Sequence, residues 1–406
     1  MSYSVTHQNI VKRSGTLTAD RARNASRPLR ILIVAPSLDI LGGQAVQAAR
    51  LLARLREEPS VHVSFLPVNP RLPGVLRKLQ QIKYVRTVVT SLLYWRLLLA
   101  RVHQYDIIHV FSASYFSFLL APTPAILVAK LYRKKIVLNY RSGEASDHLR
   151  RWRRTALPIL RLVDEIAVPS GYLVDVFARF ELVSRSISNF VNTDRFSFRE
   201  RRLLRPIFLS NRNLEPLYNV ACVLRAFAII QQQRRDARLI IAGDGSQRRE
   251  LEVLAQELDL RNVEFRGRVA HEEMHALYSE ADIYLNSPNI DNMPGSIIEA
   301  FASGLAVVTT GAGGIPYIVD DKESGLIVPC GDYQQMATAA LELLEDRALA
   351  TEITNKGREE CEKYQWDAVK NEWLKLYHEL GSRCIRPADR AARRASPSIQ
   401  AFHSHT

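Results

Sequence analysis

SPNIDNMPGSIIEAFASGLAVVTTGAGGIPYIVDDKESGLIV, residues 287–328, sets an entering loop, a short helix, an apolar run and a glycine turn in succession. A helix is expected over about Ser296 to Ser303, closed by Gly304, because glycine suits the left-handed conformation that ends a helix. LAVVTT (305–310) then runs apolar without alternation, as a strand does when both of its faces are covered. GLIVP (325–329) repeats the pattern after the glycine turn. Loop, helix and buried strand in this order form part of a parallel sheet with crossover helices.

The same rhythm extends outward in both directions. RILIVA (30–35), VHVSFLP (61–67), DIIHVF (106–111), KIVLNY (135–140) and DEIAVPS (164–170) are predicted strands, and helical patterns separate them. A second series holds PIFLS (206–210), RLIIAG (238–243), VEFRG (263–267), DIYLNS (282–287) and the two runs already named. Two such series imply an α/β chain with two doubly wound, Rossmann-like parallel-sheet domains, 30–200 and 201–365. The polar, charged stretch NTDRFSFRERR near Asn192 to Leu204 reads as the linker between them. WDAVKNEWLKLYHEL (366–380) carries a helical apolar stripe, and a C-terminal helix over 366–382 is expected to return to the first domain, by analogy with two-domain folds of this kind. Residues 1–29 and 383–406 lack such patterning and read as a disordered lead and tail.

Composition narrows the class. At 406 residues, 47% apolar and 24% charged, the chain is of ordinary globular make-up, which excludes collagen-like and largely disordered proteins. Its net charge of +13 is uneven: residues 1–200 hold 30 Lys and Arg against 13 Asp and Glu, and the remainder carries −4. Four cysteines without metal-ligand spacing fit a reduced, cytoplasmic setting. The arginine-rich start lacks the apolar core of a secretory signal. Val110 to Ala129 is uncharged, yet Pro122 and Pro124 argue for a buried strand and helix rather than a membrane span.

The chemistry gathers at glycine turns where strands end. Pro294 and Gly295 precede the 296–303 helix, so the N–H groups of Gly295, Ser296 and Ile297 are expected to face outward with the positive end of the helix dipole behind them. A diphosphate suits that position. Glu299 in the first turn reaches past such an anion toward vicinal hydroxyls, and Asp291 lies eight positions earlier in the entering loop. Gly42 and Gly43 follow RILIVA, Gly243 and Gly245 follow RLIIAG, and Gly311, Gly313 and Gly314 follow LAVVTT. Together the turns point to a polar ligand between the two domains.

These motifs resemble the nucleotide-sugar site of the retaining GT-B glycosyltransferases of family four, the glycosyl transferases of group 1. Asp291-x7-Glu299 stands where that family usually has Glu-x7-Glu, and the likeness runs over roughly residues 30 to 380. The resemblance implies a GT-B architecture with an acceptor-side first domain and a second domain that binds a UDP- or GDP-type nucleotide sugar. It gives Asp291 the sugar hydroxyls and Glu299 the ribose. In SNRNLEPLYNVACVLRAF (210–227), Arg212 matches the family's phosphate-binding arginine, while Tyr218 holds the place of a lysine. A phenol offers a phosphate a hydrogen bond but no charge; Arg248 and Arg268 are candidate replacements. Gly42 and Gly43 match the family's glycine turn. Where many relatives place a histidine facing the donor sugar, this chain has Tyr140-Arg141; Arg141 is expected on the diphosphate or an anionic acceptor, with Glu144 as its partner, and His109 is the other first-domain candidate.

Asp291, Arg212 and Arg141 are therefore the expected catalytic residues, and Gly42, Gly43, Gly243, Gly245, Gly295, Ser296, Ile297, Glu299, Tyr218 and His109 the expected substrate contacts. Retaining transfer on the family's pattern needs no side-chain nucleophile, metal or cofactor other than the donor. Residues 71–105 mix basic side chains with Leu, Val, Tyr94 and Trp95 and read either as an anionic-membrane contact or as core-packed helices with a solvated basic face. The first alternative makes the protein peripheral at the inner membrane face and favours a lipid-linked or polysaccharide-precursor acceptor. A GT-B-shaped, catalytically weak partner subunit is the second functional reading, motivated by Tyr218, Arg141 and Asp291. Nucleic-acid binding has only the basic charge in its favour, and no motif supports it.

Overall fold

Burial of the apolar runs on both faces sets twelve strands into two parallel sheets. They are seen in a computed structural model that describes residues 27–37, 43–72, 82–270 and 272–382. The first sheet contains β1 (Leu29–Ala35), β2 (Val61–Pro67), β3 (Ile107–Phe111), β4 (Lys135–Asn139), β5 (Glu165–Val168) and β6 (Arg185–Ser186), in the order β2-β1-β3-β4-β5-β6. The second contains β7 (Ile207–Ser210), β8 (Arg238–Ala242), β9 (Val263–Gly267), β10 (Ile283–Asn286), β11 (Ala306–Thr310) and β12 (Leu326–Val328), in the order β12-β11-β10-β7-β8-β9. In each sheet the chain reverses its direction of travel beside the first strand, between β1 and β3 and between β7 and β10. Such switch points open a crevice at the carboxyl ends of the strands, where α/β folds bind ligands.

Every predicted strand is present, and β6 is the one that the sequence reading lacks. Gly42, and the lead and tail as far as residues 26 and 383, lie outside the described residues. The predicted linker is not a solvated tether. Arg199, Arg201 and Arg205 converge on the fully buried carboxylate of Asp282, and Arg201, itself buried, also donates to the carbonyls of Tyr278 and Ala281. Phe196 and Leu204 enter the hydrophobic cores around the second sheet. A buried carboxylate needs pairing to offset its desolvation, so the charges that look like linker chemistry are clamps.

The Trp366–Ser382 helix lies against the first sheet, where Val369, Trp373, Leu376, Tyr377 and Leu380 pack with Ile31, Ile33 and Phe111. In the Lys83–Arg101 helix, Tyr94 and Leu98 are buried in the first domain, yet Val88, Leu92 and Trp95 are exposed beside Arg86 and Arg96. Its outer face is thus apolar as well as basic. No helix among the described residues is long and apolar enough to cross a membrane.

Candidate active site

The two sets of strand ends enclose a cleft of about 480 Å³. Gly43, Arg141, Arg212, Tyr218, Asp291, Gly295, Ser296 and Glu299 all line it. The Gly295–Ser303 helix is built as expected, with Gly304 at φ 73° closing it, and Pro294 in extended geometry at its start. Ile297 departs from expectation: its side chain is fully buried and its N–H turns back to the Pro294 carbonyl at 3.3 Å, so it faces the core rather than a ligand. A β-carbon added to Gly43 would meet nothing within 4 Å among the described residues, where the Gly43–Arg56 helix enters the cleft.

Arg212 follows β7 and spans the site. Its Nη1 donates to Ser296 Oγ at 3.0 Å, its Nη2 to Asp291 Oδ2 at 2.5 Å, and its guanidinium lies over the Tyr218 ring, 4.1 Å from the centroid. Burial alone would lower its pKa, but the Asp291 carboxylate and neighbouring phenols raise it on balance, so the cation is secure. Its Nε is buried with no hydrogen-bond partner among the described residues, a donor that a phosphate oxygen would satisfy. Tyr218 therefore occupies the cleft as an aromatic support for Arg212 and not as a second cation.

Gly243 and Gly245 act one layer back. Neither lines the cleft; a β-carbon on Gly243, which has φ 143°, would stand 2.2 Å from the Arg212 carbonyl, and one on Gly245 2.4 Å from the Leu214 carbonyl. They admit the loop that carries Arg212 and are not substrate contacts. Arg248 pairs with Glu252, and Arg268 with Asp244, away from the cleft, so neither replaces the missing lysine.

From the first domain, Arg141 enters the cleft as a cation held by neutral groups. Nε donates to Asn139 Oδ1 at 2.9 Å, Nη1 donates to Asn189 Oδ1, and the backbone N–H donates to Ser112 Oγ at 3.2 Å. Glu144 is not its partner; that side chain faces Tyr115. Burial lowers the Arg141 pKa to about 9, which still leaves it charged at neutral pH. A partly buried guanidinium with no carboxylate bound to it among the described residues calls for an anion.

His109 does not reach the cleft. It is fully buried under the Trp366–Ser382 helix, with Nδ1 2.7 Å from the Tyr377 hydroxyl and Nε2 3.1 Å from Asn139 Nδ2. Because Asn139 Oδ1 already accepts from Arg141, its amide nitrogen must donate to His109 Nε2, which leaves the imidazole proton on Nδ1. A strand histidine spent on packing is the physical reason this expectation fails.

Two functional groups escaped the sequence reading. Tyr278, fully buried, donates to Glu299 Oε2 at 3.0 Å and accepts from Asn211 Nδ2 at 2.6 Å. Arg50, in the Gly43–Arg56 helix, crosses from the first domain and donates to Glu299 Oε1 at 2.9 Å. Polar Gln47 and Arg50 recur with Gly43 on one face of an otherwise Ala- and Leu-rich helix, and that periodicity was the available signal.

Two facing Rossmann-like sheets with a ligand cleft between their switch points make this a GT-B protein. Residues 193–360 match the family described as glycosyl transferases group 1. It is 26% identical over 273 residues, 66% of this chain and 75% of the relative, to the GalNAc-alpha-(1->4)-GalNAc-alpha-(1->3)-diNAcBac-PP-undecaprenol alpha-1,4-N-acetyl-D-galactosaminyltransferase of Campylobacter jejuni. It is 27% identical over 239 residues to the phosphatidyl-myo-inositol mannosyltransferase of Mycobacterium leprae, covering 58% of each chain, and so spans less than two thirds of that relative. Among solved structures, Anabaena HepE in complex with UDP and glucose aligns with a TM-score of 0.67 at 16% identity, over 86% of this chain and 99% of that one.

Proposed function

We propose that this protein is a retaining, metal-independent glycosyltransferase that moves a sugar from a UDP- or GDP-type nucleotide sugar to a saccharide acceptor carried on a lipid or destined for polysaccharide. The observation that carries the reading is Arg141, a partly buried cation with no carboxylate partner among the described residues, lining with the N-terminus of the Gly295–Ser303 helix a cleft that Arg212 also enters. Guanidinium groups and helix N–H donors stabilise the charge that builds on a departing diphosphate. Glu299 takes the ribose and Asp291 the sugar hydroxyls. In a retaining transfer the acceptor oxygen approaches the face that the diphosphate leaves, and a phosphate oxygen takes its proton, so no side chain needs to act as nucleophile.

A second cavity of about 820 Å³ adjoins the donor cleft and shares Gln44, Ser142 and Glu144 with it, and Arg86, Thr87, Thr90 and Ser91 of the Lys83–Arg101 helix form one wall. We assign the acceptor to it. The exposed Val88, Leu92 and Trp95 on the same helix, flanked by Arg86 and Arg96, favour an acceptor presented at an anionic cytoplasmic membrane surface. The relatives named above act, by their names, on undecaprenol-linked and phosphatidylinositol substrates.

Calorimetry and thermal shift with UDP, GDP, ADP and their sugar conjugates, with and without EDTA, test the reading. One diphosphate is expected to bind regardless of chelator, and at a hundredfold excess over its Kd it should stabilise the protein by about 2.7 kcal/mol. Glu299→Ala should abolish that shift. Normal binding by Glu299→Ala would remove the site assignment. Tyr218 in the lysine's place favours one alternative, a partner subunit of weak or no turnover, and donor binding without transfer or hydrolysis would select it.

A further inference from the structure

The cleft has lost one family cation, and the chain carries a different one into the same space. Arg212 reaches Ser296 from the second domain. From the opposite wall, Arg50 Nη2 meets Glu299 at 2.9 Å, and Arg50 Nη1 stands 3.9 Å from the point where a β-carbon on Gly295 would lie. The Arg50 and Glu299 side chains are only 11% and 9% exposed, and both line the cleft. Two guanidinium groups from two domains thus flank Gly295 and Ser296, at the helix N-terminus that the donor phosphates would occupy.

We propose that Arg50 is a donor-phosphate-binding residue, contributed by the first domain in place of the lysine that Tyr218 displaces. The inference rests on the nucleotide-sugar reading above. Its chemistry is that of a charge-assisted hydrogen bond: arginine matches phosphate as a planar fork, and such bonds are the stronger class. The carboxylate of Glu299 has lone pairs beyond those used by Arg50 and Tyr278, so it accepts ribose hydroxyls while holding the guanidinium in place. The site would then be complete only with the two domains closed on each other, because one of its cations belongs to each.

The alternative role for Arg50 is to orient Glu299 for ribose, and comparison of nucleoside with nucleoside diphosphate separates the two. Calorimetry of UDP against uridine, and GDP against guanosine, is run on the full-length protein and on Arg50→Gln. We expect the preference for diphosphate over nucleoside to fall about tenfold or more in Arg50→Gln, and to recover in Arg50→Gln/Tyr218→Lys, where the charge returns on the other wall. An unchanged preference in Arg50→Gln overturns the proposal and leaves the nucleotide-sugar reading intact. Failure of the wild-type protein to bind either diphosphate overturns both. Because Arg50→Gln leaves Glu299 without its ion-pair partner, a second comparison guards against loss of fold: Glu299→Gln against Arg50→Gln/Glu299→Gln, with inorganic pyrophosphate as the probe. The same loss of about tenfold is expected from removing Arg50, and equal pyrophosphate affinity counts against the proposal.

Discussion

Tyr218 lays its ring on the Arg212 guanidinium at the one position where the family resemblance asks for a lysine. The stack holds Arg212 in place at a cost in charge: one cation is steadied and another is absent. Tyr218→Lys should therefore raise nucleoside diphosphate affinity, by up to about tenfold if the ammonium reaches a phosphate oxygen, and titration calorimetry reads the change directly. A fall in affinity would mean that the stack matters more than the charge. Asp291 and Glu299 were legible in the sequence because one loop and one helix fix their spacing along the chain, and Arg212 because its segment resembles the family's phosphate-binding one. Arg50 was not, since an arginine in an amphipathic helix reads as a solvated side chain until the facing domain supplies Glu299. His109 misled for the opposite reason: its partner Tyr377 lies 268 residues away and turns a potential ligand into a packed one.

At the scale of elements, the strands were readable because parallel strands covered on both faces are continuous apolar runs, and β6 escaped because Arg185–Ser186 is too short and polar to form one. What no pattern shows is how turns brace one another. The glycine turn after β11 supports the loop after β10: Gly314 N–H donates to the Asp291 carbonyl at 3.2 Å, and Gly313, at φ 54°, brings its α-carbon so close that a β-carbon would stand 2.1 Å from that oxygen. Gly313→Ala adds left-handed strain of about 1–3 kcal/mol, and must also push the Asp291 loop. Gly331→Ala is the matched control, because Gly331 has φ 79° but open space around it. Thermal denaturation should show both variants destabilised, whereas donor binding should weaken in Gly313→Ala alone. Equal donor binding by the two would detach the turn from the site.

Across the whole molecule, one hydrogen-bonded chain joins the C-terminal helix to both domains at the cleft. It runs from Tyr377 through His109 and Asn139 to Arg141, then through Asn189 to the Met293 carbonyl. Each link fixes the next, because a guanidinium only donates and so orients the Asn139 amide, which in turn requires His109 Nε2 to accept. Protonated His109 would set two donors against each other. Burial, with the Arg141 charge adding to it, lowers the His109 pKa to about 3, against about 6.5 in an unfolded chain. The unfolded state therefore takes up a proton as pH falls below about 6.5, while the folded state resists it. The stability contributed by neutral His109 is whole above that pH and drains away toward about 3. Between pH 7 and 5 wild type should lose about 2 kcal/mol more than His109→Gln, a side chain that does not titrate. Urea unfolding across that range measures the difference. Parallel pH profiles for the two proteins would show that His109 keeps no such tautomer.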